Sequence, residues 1–211
     1  MKKCLAAVFA VAACLQFNAA YAAAGDAGFS HIGIKAGAGI AGTEYSPLSS
    51  GIKHEGTGGF GGGVFARYRL NDKFSVQPEV LYALKGFNQK ATAPLASTEV
   101  DYRMNYLDIP LFVRFSPGGE SGRFRIFAGP LFSFLMSARA STKISVGPAS
   151  VTSETDIKDS FKSNDLGAAG GIGFDFASGL SIDLQVSKGL KDVSAVNGVK
   201  IKNNSGMLML G

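Results

Sequence analysis

His31-Ile32-Gly33-Ile34-Lys35-Ala36-Gly37-Ala38-Gly39-Ile40 decides the fold: every even position is apolar and every odd one is glycine or polar. A period of two is the mark of a strand whose faces meet different surroundings. The same phase runs through Phe60 to Leu70, Phe74 to Leu84, Leu166 to Phe176 and Leu180 to Val186. Over these five segments 24 of 27 even positions are apolar and none is charged, against 4 apolar residues at the 22 intervening odd positions. Tyr102 to Phe115, Phe124 to Ala138 and a stretch from about Asn203 to Leu210 complete a set of eight strands. In the fourth, Tyr102, Met104 and Tyr106 give way to Leu107, Ile109, Leu111, Val113 and Phe115, and a β-bulge near Tyr106 is expected to carry that change of phase.

The chemistry of the second face says where the apolar one points. A soluble sandwich or lipocalin-like barrel would carry Lys, Glu and Thr on its outer face. Here the non-apolar face is glycine with isolated charges, which suits a narrow interior, and the apolar face then meets lipid. Strands of roughly 9 to 11 residues are what a tilted membrane strand needs. Connection lengths argue the same way. Asn71 to Lys73, Ser116 to Gly122 and Ala177 to Gly179 are short; residues 41–57, 87–100, 139–163 and 189–202 are long; the two kinds alternate. Outer-membrane barrels alternate short periplasmic turns with long extracellular loops, so the expectation is an all-β, eight-stranded antiparallel up-and-down transmembrane barrel with both termini periplasmic.

Composition agrees. The chain has 211 residues, 46% hydrophobic and 18% charged, with 28 Gly, 16 Phe, 2 His, 2 Cys and a formal net charge of +5. Its longest uninterrupted apolar run, Cys4 to Leu15, falls short of the ~20 residues of a spanning helix. Lys2 and Lys3, that apolar stretch and Ala20-Tyr21-Ala22 form a secretory signal pattern, with cleavage expected after Ala22. The domains are then residues 1–22, removed, and a barrel over 23–211. Val11-Ala12-Ala13-Cys14 is the rival reading, a lipobox with Cys14 lipidated. Losing Lys2 and Lys3 lowers the charge from +5 to +3, so nothing argues for nucleic acid, and both cysteines leave with the signal.

At the short turn after Leu70, strand pairing sets Leu70 opposite Phe74, Arg67 opposite Gln77, Phe65 opposite Glu79 and Gly62 opposite Tyr82, with Arg67 diagonal to Glu79 at salt-bridge distance. Gly179 supplies the left-handed position of a three-residue hairpin. Arg67, Arg69, Glu79, Lys85, Asp108, Arg114, Arg125, Asp175 and Asp183 are the expected interior charges. Both signs occur, which favours a mutual salt-bridge plug over a selectivity ring, and eight strands enclose only enough space for their own side chains. Tyr68, Phe74, Phe115, Phe124, Phe174 and Phe176 lie beside the short turns as one aromatic girdle; Tyr82, Tyr102, Tyr106 and Phe134 are the expected other.

Motifs for chemistry are sparse. Gly37 to Gly42 matches G-x-G-x-x-G, but no helix pattern follows and the glycines continue the strand period. His31 opens the first strand, and His54 sits in a long loop where nothing fixes a base beside a nucleophile. No catalytic, cofactor or metal residue is assigned. The expectation is a non-enzymatic barrel in contact with outer-membrane lipid and the barrel-assembly machinery, monomeric, with a protein partner at loops near 41–57 and 139–163. The alternatives are a small pore and a surface barrel enzyme using His54. Thr142 to Val146 and Ser150 to Ile157, flanking Gly147-Pro148, read as a hairpin rising beyond the membrane.

Three phrases carry a family resemblance: Gln77-Pro78-Glu79-Val80-Leu81-Tyr82 with Lys85-Gly86, Tyr106-Leu107-Asp108-Ile109-Pro110-Leu111, and Ala128-Gly129-Pro130. In order and spacing they resemble the PorT-like outer-membrane β-barrel family of Bacteroidota. The resemblance implies an eight-stranded outer-membrane barrel, with some members linked to type IX secretion or gliding. Two features depart from it. Pro78, Pro110 and Pro130 fall inside strands, where bulges are expected to absorb the lost hydrogen bonds, and the chain ends at Met207 to Gly211 without the terminal aromatic residue of the family.

Overall fold

The computed structural model describes residues 28–46, 53–93, 96–118, 124–196 and 198–211. The signal segment, the rival lipobox cysteine and the tip of the first long loop lie outside the described residues.

Nine strands form: β1 Gly28–Ser46, β2 Lys53–Arg69, β3 Phe74–Ala93, β4 Ala96–Phe115, β5 Phe124–Val146, β6 Ala149–Asp156, β7 Asn164–Asp175, β8 Ser181–Gly189 and β9 Lys200–Leu210. All pairings are antiparallel, in the order β4-β3-β2-β1-β9-β8-β7-β5-β6, and β4 also pairs β5. Eight strands therefore close into a ring. The ninth, β6, lies on the upper part of β5, while β7 pairs the lower part, Phe124 to Phe134. Closure leaves the ring without free edges, the usual hazard of an exposed sheet.

The parity seen in the sequence is the inside-outside rule of this ring. Ile32, Ile40, Phe60, Val64, Val113, Leu184, Val186 and Leu208 are more than half exposed on the outer face. Lys35, Gln77, Glu79, Arg114, Arg125 and Asp183 are buried on the inner one. Inward glycines make room for the long side chains of neighbouring strands. A Cβ at Gly33 would lie 2.6 Å from the Phe65 ring, and one at Gly173 would collide with the Asp183 carboxylate and the Arg125 guanidinium.

The β2–β3 hairpin has the expected register, with Phe65 opposite Glu79, Gly62 opposite Tyr82, and the Leu70 N–H donating to Phe74 O at 2.9 Å. Gly179 has φ +88°, the left-handed conformation its turn requires. Phe74 and Phe115 rings stand 5.0 Å apart, Phe174 and Phe176 5.1 Å, which assembles the girdle beside the short turns.

Four expectations are corrected. The first concerns length: β1 to β5 run 17 to 23 residues, about twice the expected 9 to 11, so most of the supposed loops 41–57 and 87–100 are strand, whereas within 139–163 the expected hairpin about Gly147-Pro148 forms between β5 and β6. Cross-strand pairing holds these extensions up. Second, β4 keeps one phase throughout, with Met104, Tyr106, Asp108, Pro110, Phe112 and Arg114 all buried. The register does shift at Asn105/Tyr106, but the extra residue, Met136, is on β5. What changes in β4 is the interior, which turns apolar. Tyr102, stacked on Phe87 at 4.3 Å, and the buried Tyr106 thus belong to the lumen and not to an outer girdle; Tyr82 and Phe134 do face out.

Third, the prolines need no bulge. Pro78 is paired with Leu111 and Pro110 with Leu131, and each ladder resumes three residues on, at Leu81–Asp108 and Val113–Ala128, in unchanged register. The register places Pro78 and Pro130 on either side of Leu111. Fourth, His54 is no loop residue: its backbone pairs with Gln89 within β2 and β3.

Candidate functional site

At one end tight turns join β2 to β3 and β7 to β8, and the chain brings long charged residues inward just above them. Lys35 Nζ lies 2.7 Å from Glu79 Oε1 and 3.0 Å from Asp183 Oδ2. Gln77 Nε2 donates to the same Glu79 oxygen at 2.6 Å, and its Oε1 accepts from Arg114 Nη1 at 2.6 Å and Arg67 Nε at 3.2 Å. Arg114 Nη2 reaches Asp175 Oδ2 at 3.0 Å; Arg125 binds both Asp175 and Asp183. The contacts close a circuit from Lys35 through Glu79, Gln77, Arg114, Asp175, Arg125 and Asp183 back to Lys35. Arg67 is attached at Gln77 and at Asp175, 3.6 Å away. Seven of the eight ring strands contribute, all but β9.

Low dielectric strengthens each of these pairs and makes an unpaired member costly. Lys35 was not among the expected interior charges, although it stands at an odd position of the deciding stretch. Its partner Glu79 was expected to face Arg67, which instead binds Gln77 and Asp175. The distinction arises because Lys35 reaches Glu79 over β2, where its own neighbour is Gly63. Sequence spacing along one hairpin could not show a cation arriving from a third strand.

Above this circuit, Leu81, Phe112, Phe127, Leu131, Ala169, Met207 and Met209 fill the lumen. A second polar layer follows. Lys85 Nζ sits 2.7 Å from Asp108 Oδ2 and 4.8 Å from the Tyr106 ring centroid. Asn203 Nδ2 donates to the Tyr106 hydroxyl oxygen and to Asp165 Oδ2, both at 3.2 Å. Arg69, also expected inside, sits half-buried at the short-turn end.

The far end is capped by two segments that pair with each other. Residues 157–163, between β6 and β7, meet residues 190–199, between β8 and β9, through the Phe161–Ser194 bridge, Lys162 N–H to Val193 O at 2.8 Å and Ala195 N–H to Ser160 O at 3.0 Å. Phe161 and Val193 enter an apolar cluster with Phe87, Met104, Tyr106, Leu135, Ala138 and Ile201. Asp192 ties the second segment: its carboxylate accepts from the N–H groups of Ile201 at 2.9 Å and Ser194 at 3.0 Å, and from Lys162 Nζ at 3.2 Å. Burial pushes that carboxyl up, but the two backbone N–H groups and Lys162 together outweigh it and hold it below the usual range.

The lumen is filled unevenly. At one level β1, β7, β8 and β9 present only the small side chains of Thr43, Ala169, Ser187 and Ser205 to the lumen. A cavity of about 720 Å³ lies against that side, lined by residues that include Thr43, Gly56, Phe87, Ala169, Ser187 and Ser205. These come from six of the eight ring strands, which only an interior space can touch at once. The expectation that side chains fill the barrel completely is corrected here.

Residues 16–195 match the model of a family described as the outer membrane protein beta-barrel domain. Among solved structures, the chain is similar to Neisserial surface protein A, with 17% identity, 87% of this chain and 97% of that chain covered, and a TM-score of 0.47. It is also similar to Ail, the attachment invasion locus protein of Yersinia pestis, with 15% identity, coverage of 87% and 97%, and a TM-score of 0.41. The outer membrane protein OprG from Pseudomonas aeruginosa aligns at 15% identity, coverage of 87% and 95%, and a TM-score of 0.38. No curated protein sequence matches the chain significantly.

Proposed function

The chain belongs to the outer membrane protein beta-barrel domain family, and from that premise we propose that this outer-membrane barrel is non-conducting and non-enzymatic, and works by presenting its extracellular end to a protein partner. The charged circuit carries the reading. Seven inward side chains bound head to tail, with Arg67 attached, leave no continuous polar path through the floor of the lumen. An ion crossing it must break buried pairs, each costing several kcal/mol.

The long strands supply the docking element. β5 and β6 continue as a hairpin past the ring, with all of β6 exposed and its outer edge unpaired among the described residues. An exposed edge offers backbone N–H and C=O groups to an extended segment of a partner. Together with residues 41–57 this is the surface for an extracellular or secretion-system protein. The short turns and both termini face the periplasm in this reading, the barrel is a monomer inserted by the barrel-assembly machinery, and the three quoted phrases support a PorT-like branch.

Planar-bilayer recording tests the central element. Purified, folded protein is expected to add no stepwise conductance to the lipid baseline. Reproducible single-channel steps would overturn the reading in favour of a small pore.

A further inference from the structure

We infer that the interior cavity is a binding site for a small uncharged amphiphile, with an apolar body and one hydrogen-bond-donating head. The inference rests on the sealed floor proposed above, which makes this space a blind pocket. Its volume, about 720 Å³, lies within the 300–1,000 Å³ of small-molecule sites.

The lining defines the chemistry. Phe87 and Ala169 supply apolar contact, and Phe87 is held rigid by stacking on Tyr102 at 4.3 Å. Polar groups are few and converge. Ser187 and Ser205 hydroxyls face each other at 2.7 Å and line both the cavity and a small void beneath it. In that void Gln185, nine-tenths buried, holds an Oε1 with no hydrogen-bond partner. Thr43 Oγ1, also buried and unpartnered, stands at the cavity wall. A buried acceptor without a donor is costly, and a hydroxyl or N–H of a ligand would satisfy it.

Charge of either sign is disfavoured. The one cation on the lining, Lys188, is committed to Glu44 at 2.6 Å. Asp165, farther from the short turns on β7, is engaged by Asn203, and Lys85 by Asp108. Glu55, the carboxylate on the lining, is exposed to solvent, so a permanently charged head would enter the buried part of the cavity without a counter-ion. An alcohol, phenol or amide meets the serine pair and Gln185 directly.

The test uses full-length folded protein in lipid nanodiscs and 2-naphthol, an uncharged fluorescent phenol at neutral pH, with empty nanodiscs as background. Saturable binding is expected above that background. Ser187→Phe, which fills the cavity, is expected to weaken it at least tenfold, with folding checked by the mobility difference between unboiled and boiled protein. Gln185→Leu is expected to weaken 2-naphthol several-fold while leaving 2-methoxynaphthalene, which lacks the donor, unchanged. Non-saturable uptake, or full binding by a folded Ser187→Phe variant, would sink the site. Equal loss of both probes in Gln185→Leu would overturn the donor head. Saturable binding by a protein that also conducts would support the site while sinking the sealed floor, so the two readings fail separately.

Discussion

Lys35 on β1 and Glu79 on β3 stand 44 residues apart in sequence and 2.7 Å apart in space, although β2 separates their strands. Both side chains are essentially solvent-free, and Lys35 is shared with Asp183 on β8. One ammonium therefore ties three strands of the ring together. It also lies 5.9 and 5.8 Å from the Phe112 and Phe127 ring centroids, which adds a weaker cation–π attraction.

Among the described residues, removing that ammonium leaves Glu79 with only the Gln77 amide and Asp183 with only Arg125. Lys35→Met is expected to destabilise the folded barrel by about 3–5 kcal/mol, read as a lower urea midpoint in lipid vesicles. Lys35→Met with Glu79→Leu is expected to cost less than the sum of the single changes. Additive costs would show that the pair is not coupled.

The strand glycines divide into inward ones that house a neighbour, such as Gly173, and outward ones that do not, such as Gly206. Gly173→Ala is expected to destabilise by roughly 1–3 kcal/mol, because its methyl would meet Asp183 and Arg125. Gly206→Ala, with nothing within 4 Å of the new carbon, is expected to be neutral or slightly stabilising by limiting the unfolded chain. The comparison is one unfolding titration per variant, and equal midpoints would refute the assignment.

Phe161 anchors the cap. Phe161→Ala is expected to raise amide hydrogen exchange at Lys162 and Ala195, whose N–H groups bond between the two cap segments, and at Val193, whose N–H holds the second segment to Ile201 of β9. Exchange at the short-turn end of β2 and β3, outside the cluster that holds Phe161, should stay as it is. A global increase would mean that the cap cannot open locally.

The cap also responds to acid. Asp192 is held below its ordinary pKa in the folded state, so its contribution is present above the unfolded value of about 3.9 and is lost as pH falls through it to the folded value. Protection of the Ser194 and Ile201 amides, which donate to this carboxylate, is expected to drop when pH is lowered below about 4. Asp192→Asn keeps an acceptor without the titration, and its protection is expected to be flat over the same range. An identical drop in both proteins would remove Asp192 as the cause.

What the sequence determined alone is the pleat. Alternation at His31 to Ile40, with its continuation in four further segments, assigns each residue to a face because strand geometry has a period of two and lipid tolerates no unpaired charge. Short-turn spacing likewise settles the β2–β3 register. Which charges meet, how far strands run and where the lumen stays open are decided only by closure. Ring closure brings β8 beside β1 through β9, delivers Lys35 to Glu79 and Asp183, and turns Tyr102, Tyr106 and Phe161 inward to a cap that alternation alone reads as an outer girdle or a loop. Local pattern fixes the direction of a side chain; the partner it finds there depends on residues far away in the chain.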